Sequence, residues 1–331
     1  MTSCPVCGGF NTSSYREFVI KAPGFGDAFK MMSCRQCGMV FTSPQPDQKL
    51  LETIYSNDGY YAYLPFSQPL IPVRENAWNK IKAWAKNVVV DNYYGYGFRR
   101  NDFKPSGFLR LAGRLMKDLP RDNVVALRRM VHFNGGGRHL DIGSGSGFYV
   151  WWMGEHGWQS EGIELNYNAV ENGRRAGVKI KKVQLLDSHY PDSCFDLVTA
   201  WGVIEHLLRI KECFREIARI VKPGGRFVGF VPNIGSWDAE IFKDQWQGLE
   251  IPSHLYHFTP ETLERLLAEA GLKLTGIEYL PALNSWKASL DKIGITSGFK
   301  RKALESAGRL MYLVSNRVGR GAMFRFDSVK T

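Results

Sequence analysis

The amino-acid sequence predicts an α/β fold, and three consecutive patterns carry that prediction. An apolar strand ends near Asp141 and runs directly into a loop that has glycine at every second position over 143–147. An apolar segment suited to a buried helix follows at 148–153, and a second strand ends in an acid at Glu164. Alternate glycines allow a tight turn and leave room for a ligand against the main chain. The strand, loop, helix and acid-tipped strand together indicate a Rossmann-like core.

The spacing of the glycine loop distinguishes two classes of cofactor site. A dinucleotide site has the pattern Gly-x-Gly-x-x-Gly, with a pyrophosphate facing the start of a helix. Here the third glycine, Gly147, comes one residue early, and Phe148 occupies the place of the last glycine in that motif. Asp141, just before the loop, would repel a phosphate and suits a cationic amino group. The loop therefore favours a cationic ligand over a dinucleotide.

Later segments extend this pattern into a resemblance to a known family. Together with the glycine loop, they resemble the class I S-adenosylmethionine (SAM) methyltransferases in type and order. These segments are 193–199, 203–206, 221–227, 254–259 and 263–271. The resemblance covers about residues 131–280. It implies a seven-stranded sheet, closed by an antiparallel last strand, and SAM as the methyl donor.

The resemblance also implies which residues bind SAM. Asp141 and the glycine loop are expected to hold the methionyl end, and Glu164 the two ribose hydroxyls. The adenine is expected near 184–185, and the methyl group beside 201–202, with a place in the core as the alternative for Trp201. The full set of expected SAM-binding residues is Asp141, Gly143, Ser144, Gly145, Gly147, Phe148, Glu164, Leu165, Gln184, Leu185, Trp201 and Gly202.

A hydroxyl acceptor would need a base to take its proton, and histidine is the usual choice near neutral pH. Glu205 and His206 follow the fourth strand on the cofactor side, and His254 and His257 come from a later loop. We expect Glu205, His206 and His254 to carry the catalytic chemistry. The alternatives are a structural role for each histidine, or a divalent metal on Glu205 and His206, as in some related quinone-type O-methyltransferases.

The N-terminal cysteines predict a zinc ribbon over residues 1–45. Four of the six cysteines form two Cys-x-x-Cys pairs, each followed at once by glycine: Cys4, Cys7, Cys34 and Cys37. Such pairs can aim both thiolates at one ion from a tight turn, and four thiolates close the coordination shell, as in structural zinc sites. The alternative is two disulfides, which a reducing cytosol disfavours.

Length and composition limit the class of protein. The chain has 331 residues and a net charge of +11. It has no run of about 18 apolar residues, so a membrane-spanning helix is not expected. The first residues lack the basic and apolar regions of a secretory signal. The sequence therefore predicts a cytoplasmic protein, with membrane association at its surface left open.

The basic charge is concentrated in two segments, 74–130 with net charge +8 and 287–331 with +7, whereas 131–286 carries −4. Each basic segment contains a predicted amphipathic helix and the sequence Ala-Gly-Arg-Leu-Met, at 112–116 and 307–311. The second apolar stripe consists of Leu304, Ala307, Leu310, Met311 and Val314. Basic amphipathic helices can lie in a membrane interface or grip nucleic acid, but an apolar stripe can equally pack on the protein.

These predictions divide the chain into five parts. They are a zinc ribbon (1–45), a linker with a helical cap (46–130), a SAM-binding core (131–280), a helical insertion or lid between strands six and seven (281–320), and the last core strand (321–331). The resemblance favours O-methylation of a small molecule or glycoconjugate, since ribbon-bearing relatives are associated with surface-polysaccharide and lipid-linked sugar pathways. The alternatives are an RNA methyltransferase and a non-catalytic SAM-binding protein.

Overall fold

The computed structural model describes residues 2–21, 28–55, 63–65, 94, 96, 129–132 and 135–331. The chain forms two compact units. The first consists of Met1–Tyr60 and Lys182–Thr331, and the second of Tyr61–Lys181. Most of the predicted helical cap over 46–130 lies outside the described residues, and so does the first of the two predicted amphipathic helices, which contains Ala-Gly-Arg-Leu-Met at 112–116.

The cysteine-bearing N-terminal segment folds as an antiparallel sheet in the first unit. Its strands are β1 (Thr12–Lys21), β2 (Ala28–Cys34) and β3 (Val40–Ser43), and α1 (Gln48–Tyr55) follows them. A fourth strand, β9 (Tyr256–His257), pairs antiparallel with Val40 and Phe41 of β3. The N-terminal sheet is therefore completed by a loop that lies more than 200 residues later in the chain.

The second unit contains a strand–helix–strand alternation. Its elements are β4 (Gly137–Ile142), α2 (Phe148–Glu155), β5 (Trp158–Glu164), α3 (Tyr167–Arg175) and β6 (Ile180–Lys182). β4 and β5 pair in parallel, with Asp141 opposite Gly162. Asn166 starts α3 as its N-cap, because its side chain accepts a hydrogen bond of 2.9 Å from the amide of Ala169.

The first unit contributes the other core strands and most of the helices. They are β7 (Phe195–Trp201), α4 (Ile210–Ile220), β8 (Val221–Pro232), α5 (Trp237–Phe242), α6 (Pro260–Glu269), β10 (Leu272–Leu280), α7 (Leu283–Lys292), α8 (Gly298–Ser315) and β11 (Met323–Lys330). The strand order is β10-β11-β8-β7. β7 and β8 are parallel, whereas β11 is antiparallel to both of its neighbours. All seven strands expected of the α/β core are present, three in the second unit and four in the first.

Two helices, α7 and α8, lie between β10 and β11 and cover an apolar cluster. Trp286 of α7 and Tyr312 of α8 are buried in this cluster with Phe242 and Trp246. Trp286 Nε1 donates a hydrogen bond of 3.2 Å to the carbonyl of Leu304. Gly308 lets α8 approach α7 closely, since a Cβ there would lie 2.7 Å from the Trp286 ring. These two helices are thus fixed to the apolar cluster by aromatic packing.

The structure corrects the predicted C-terminal stripe, because its apolar residues point to two sides of α8. Leu304 and Met311 contact the buried cluster, whereas Leu310 and Val314 are exposed. Positions 304 and 310 are six residues apart, which is about 120° around a helix by the shorter way, so the predicted stripe is wider than the face that packs on the core. None of the described helices is both long enough and apolar enough to cross a membrane.

The close contact at Gly308 predicts opposite results for two glycine-to-alanine changes. Gly308→Ala should destabilise the protein by about 1–3 kcal/mol, because the new methyl group overlaps the rigid indole of Trp286. Gly154→Ala is the control: Gly154 lies in α2, and nothing would stand within 4 Å of a new Cβ. It should stabilise by up to about 1 kcal/mol through helix propensity. Denaturant unfolding of both variants checks this, and equal effects would contradict it.

Candidate cofactor site, active site and metal centre

The glycine loop follows β4 in a conformation that glycine adopts most easily. Gly143, Gly145 and Gly147 all have positive φ, at 66°, 54° and 87°. At Gly147 a Cβ would in addition lie only 2.6 Å from Ile180. The amides at 143 and 144 donate to the carbonyl of Ile163 at 2.9 and 3.1 Å, which ties the loop to β5. The loop is therefore held in one conformation against β5.

Glu164 lies at the end of β5 and is fixed by main-chain donors. One carboxylate oxygen accepts from the amide of Gly145 at 2.9 Å. The other accepts from the amides of Leu165 and Asn166 at 2.7 and 2.9 Å. Three hydrogen bonds from main-chain amides hold the buried carboxylate in one orientation beside the glycine loop, and about one of its four acceptor positions is left for a further hydrogen bond.

Other predicted SAM-binding residues of the second unit lie along the same loop and strand end. Asp141 is buried in β4, and Phe148 and Leu165 are exposed apolar side chains beside the loop and Glu164 in sequence. Ser144 Oγ is buried, and no residue among those described forms a hydrogen bond with it. An acid, a buried hydroxyl and exposed apolar side chains suit a ligand with both polar and flat apolar parts.

The first unit holds the remaining predicted SAM-binding residues. Gln184 precedes a short 3₁₀ turn over Leu185–Asp187, in which Leu185 is buried. Trp201 ends β7, is nearly buried and packs on Phe230, with ring centroids 5.5 Å apart. Gly202 follows with a positive φ of 68°, and its amide donates to the carbonyl of Phe230 at 3.0 Å. Both pairs therefore stand at the ends of elements, where ligand contacts are common in α/β folds.

Three predicted catalytic residues lie together in the first unit. Donor atoms of Glu205, His206 and His254 all fall within 4.8 Å of one another. The rings of His206 and His254 have centroids 4.6 Å apart in an edge-to-face arrangement. Two imidazoles and one carboxylate are a donor set that also suits a divalent transition metal. His257 lies next to this group, with its ring centroid 6.5 Å from that of His254.

Main-chain carbonyls set the tautomers of the two closest histidines. His206 Nδ1 donates to the carbonyl of Ser253 at 3.0 Å, and His254 Nδ1 donates to that of Gly248 at 2.9 Å. In each neutral ring Nε2 is therefore the acceptor nitrogen. His206 is partly exposed, whereas His254 is buried. His206 is consequently the better placed of the two to reach an acceptor substrate.

Burial keeps the whole group uncharged near neutral pH. Desolvation, reinforced by the negative charge of Glu250, raises the pKa of Glu205 to about 8. Desolvation lowers the pKa of His206 to about 3, with His254 adding to the effect, and it lowers that of His254 to about 4. Glu205 Oε2 is buried and has no hydrogen-bond partner among the residues that the structure describes. The site thus contains a protonated acid, an unsatisfied oxygen and two neutral imidazoles.

The four N-terminal cysteines converge on one point. The sulfurs of Cys4 and Cys37 lie 3.6 Å apart, and those of Cys7 and Cys34 lie 3.5 Å apart. These distances exceed the S–S bond of about 2.05 Å in a disulfide. They are close to the edge of about 3.8 Å in a tetrahedron with zinc–sulfur bonds of about 2.3 Å. All four sulfurs lie within 4.8 Å of one another, as one metal ion requires.

Sequence reasoning missed Thr42, which links the cysteine-bearing sheet to the histidine loop. Its buried hydroxyl donates to the carbonyl of His254 at 2.7 Å and lies 3.2 Å from His257 Nε2. The amide of Thr42 donates to the carbonyl of Leu255 at 3.0 Å. No local signal marks a threonine on β3 as a neighbour of a loop so distant in sequence. Only the pairing of β3 with β9 reveals it.

Comparison with known proteins connects this architecture to a family. Residues 113–276 match the family described as a methyltransferase domain. The chain is therefore similar to this family over that segment. The segment includes the glycine loop, Glu164 and the group formed by Glu205, His206 and His254.

Curated relatives are similar to part of the chain at moderate identity. The chain is 28% identical over 152 residues to the ubiquinone biosynthesis O-methyltransferase of Idiomarina loihiensis, covering 42% of this chain and 62% of that enzyme. The enzyme of the same name from Aeromonas salmonicida is 28% identical over 191 residues, covering 52% and 80%. A biotin biosynthesis bifunctional protein of Cellvibrio japonicus is 26% identical over 140 residues, covering 41% and 28%. The chain thus spans less than two thirds of the Idiomarina and Cellvibrio proteins.

Among solved structures, an S-adenosylmethionine-dependent methyltransferase from Mesorhizobium loti is similar with a TM-score of 0.44 and 21% identity. The match covers 62% of this chain and 95% of that one. A SAM-dependent methyltransferase from Thermotoga maritima has a TM-score of 0.42 and 16% identity, covering 77% and 96%.

The raised pKa of Glu205 predicts a pH-dependent stability difference. A carboxyl with a raised folded-state pKa stabilises the fold below its unfolded pKa of about 4.5 and loses that contribution as pH rises through about 8. Glu205→Gln mimics the protonated acid at every pH. The variant should match the wild type near pH 5 and exceed its stability by at least about 1 kcal/mol at pH 9, measured by urea unfolding. A constant difference between the two proteins from pH 5 to 9 would contradict the assignment.

Proposed function

We propose that this chain transfers a methyl group from SAM to an oxygen of a small-molecule or glycoconjugate acceptor. The observation that carries the proposal is the carboxylate of Glu164, which three amides fix beside the glycine loop. A fixed carboxylate at the end of the second core strand can accept a hydrogen bond from a ribose hydroxyl at its remaining acceptor position. The similarity of residues 113–276 to a methyltransferase domain supports SAM as the source of that ribose.

The rest of the SAM site follows from charge and shape. The positive methionyl end belongs near Asp141 and the glycine loop, since Asp141 offers a negative charge there. We assign the adenine to 184–185 and the methyl group to 201–202. A dinucleotide is disfavoured, because its diphosphate would face the carboxylates of Asp141 and Glu164.

The reaction is a direct displacement and needs no covalent intermediate with the protein. The acceptor oxygen attacks the methyl carbon as the carbon–sulfur bond breaks, and the sulfonium sulfur keeps the electron pair. Holding donor and acceptor in line can supply on the order of 7–11 kcal/mol of the barrier reduction. We assign the hydroxyl proton to His206 Nε2, since Nδ1 already donates to Ser253 and the neutral ring can accept it. Glu205 and His254 position that ring, or hold a divalent ion beside it.

The acceptor class rests on two supports. Two relatives are named as O-methyltransferases of ubiquinone biosynthesis, and this supports transfer to an oxygen of a small molecule. The glycoconjugate option rests on the resemblance to ribbon-bearing enzymes of polysaccharide pathways, and it is the weaker of the two. RNA is the competing acceptor, because the ribbon and the basic segments could bind a polyanion.

Removal of the Glu164 carboxylate should weaken SAM binding. Glu164→Ala is expected to raise the Kd for SAM by about 10- to 100-fold, the range of about 1.5–3 kcal/mol for hydrogen bonds to a charged group. Glu171→Ala on α3 is the matched control, because Glu171 pairs with Arg174 at the surface. It should leave the Kd unchanged in isothermal titration calorimetry. Wild-type protein that bound NAD more tightly than SAM would overturn the proposal.

Product analysis tests the transfer itself. Purified protein with isotope-labelled SAM should label small molecules or glycoconjugates of a cell extract at oxygen, as identified by mass spectrometry. Label found in RNA would identify RNA as the acceptor in place of a small molecule or glycoconjugate. SAM binding without any labelled product would indicate a non-catalytic SAM-binding protein. His206→Ala should reduce labelling without changing the Kd for SAM.

We also propose that Cys4, Cys7, Cys34 and Cys37 hold one structural zinc ion. The donor set is four thiolates at near-tetrahedral spacing, and such a closed shell leaves no position for substrate. The ion would stabilise the small β1–β3 sheet and, through the β3–β9 pairing, the histidine loop. Its role is therefore to position residues of the site.

Zinc content should depend on the clustered cysteines alone. Cys34→Ser should lose about one equivalent of zinc per chain, as measured by elemental analysis after dialysis, and should lower the melting temperature. Cys213→Ser is the control, because Cys213 is a buried thiol outside the cluster whose bond to the Leu208 carbonyl a hydroxyl can replace. It should keep the zinc. A metal-free protein with four reactive N-terminal thiols and an unchanged melting temperature would exclude the site.

A further inference from the structure

Helix α8 exposes an apolar surface on the side opposite to its packed face. This outer face consists of Phe299, Leu310, Leu313, Val314 and Val318, with exposed fractions between 42% and 88%. Their spacing follows the helical repeat, so they form one stripe along the helix and the turn after it. Single exposed apolar residues are ordinary, but the four that cluster over 310–318, with Phe299 about three turns earlier on the same side, indicate an interaction surface.

The outer face is not needed to fold α8, because other residues hold the helix in place. The hydroxyl of Tyr312 donates to the buried carboxylate of Asp238 at 2.5 Å, and the Trp286 indole donates to the Leu304 carbonyl. Arg301 forms ion pairs with Asp291 and Glu305. The inner face thus anchors the helix to the first unit and presents the outer face at a fixed position.

The charges around the outer face have one sign. Over 298–320 the chain has six Lys and Arg residues but a single acid, Glu305, which pairs with Arg301. Arg320 pairs with Glu240. The other four cations, Lys300, Lys302, Arg309 and Arg317, flank or end the outer face and are exposed. No acidic residue lies on the outer face itself.

We infer that the outer face of α8 binds the surface of an anionic lipid bilayer. A helix that lies in a membrane interface has an apolar face entering about 5–10 Å and cations that meet anionic headgroups, as here. A two-fold contact with a second copy would bring the same four cations against each other, which charge repulsion opposes. A nucleic acid would satisfy the cations but would leave the apolar stripe without a partner.

This inference deepens the proposed function, since it rests on the idea that the acceptor is met at a membrane. Membrane binding itself can be measured without SAM or acceptor, so its failure is distinguishable from failure of the methyl-transfer proposal. The probes are vesicles of phosphatidylcholine alone and vesicles that also contain about one third phosphatidylglycerol. Sedimentation of the full-length protein with each vesicle type gives the bound fraction.

Wild-type protein should bind the anionic vesicles and not the neutral ones, and added salt should weaken binding. Leu310→Asp should reduce the affinity at least about tenfold, because it places a charge in the centre of the outer face. Ile241→Asp is the matched control, at an exposed apolar position of α5, and should bind like the wild type. Lys300→Glu with Lys302→Glu should reduce the affinity by more than about 30-fold, whereas Lys273→Glu on β10 should have less effect.

Several outcomes would overturn the inference. Absence of wild-type binding to anionic vesicles at low salt would do so directly. If the Leu310→Asp variant still bound anionic vesicles as tightly as the wild type, the membrane contact would have to lie in another part of the chain, such as the basic segment over 74–130. A dimer in sedimentation velocity that Leu310→Asp dissolved would identify a second copy as the occupant. Binding of structured RNA in place of vesicles would point to nucleic acid.

Discussion

The short pairing between β3 and β9 is the contact on which the arrangement of the histidine site depends. It consists of only two residue pairs, but the buried hydroxyl and amide of Thr42 extend it to the carbonyls of His254 and Leu255. The amide of Leu255 in turn donates to the carbonyl of Glu205 at 2.8 Å. One chain of main-chain bonds therefore runs from the N-terminal sheet through the histidine loop to the segment after β7. The N-terminal sheet therefore borders the group formed by Glu205, His206 and His254.

That chain of bonds also accounts for the unusual electrostatics of the group. Glu205 and His254 have almost no contact with water, so their neutral forms are favoured. The carbonyls of Ser253 and Gly248 determine which nitrogen of His206 and of His254 is unprotonated. Glu205 Oε2 lacks a partner among the described residues, which is costly in a folded protein. Buried groups of this kind are commonly found where a substrate or an ion supplies the missing interaction.

Much of this architecture can be predicted from the sequence, because its signals are local. The glycine loop, the acid at 164 and the strand over Leu272–Leu280 each depend on a few adjacent residues. The spacing of the cysteines likewise predicts that their four sulfurs lie close together. Contacts between distant segments leave no such signal, and Thr42 is the clearest example. The direction of each side chain on α8 also escaped prediction, since an apolar pattern does not say which of two apolar sides meets the core.

The three amides that grip Glu164 have a consequence for selectivity among nucleosides. Its carboxylate cannot rotate away to find water or another donor when a ligand lacks a hydroxyl. A deoxyribose analogue would therefore leave a desolvated charge facing a hydrogen atom, and the protein could not relax to relieve it. The orientation of the Glu164 carboxylate is fixed before a ligand binds. Binding therefore does not lose conformational entropy by ordering this side chain. The rigidity that favours binding of a complete ribose therefore also disfavours a ligand that lacks the hydroxyl bound by Glu164.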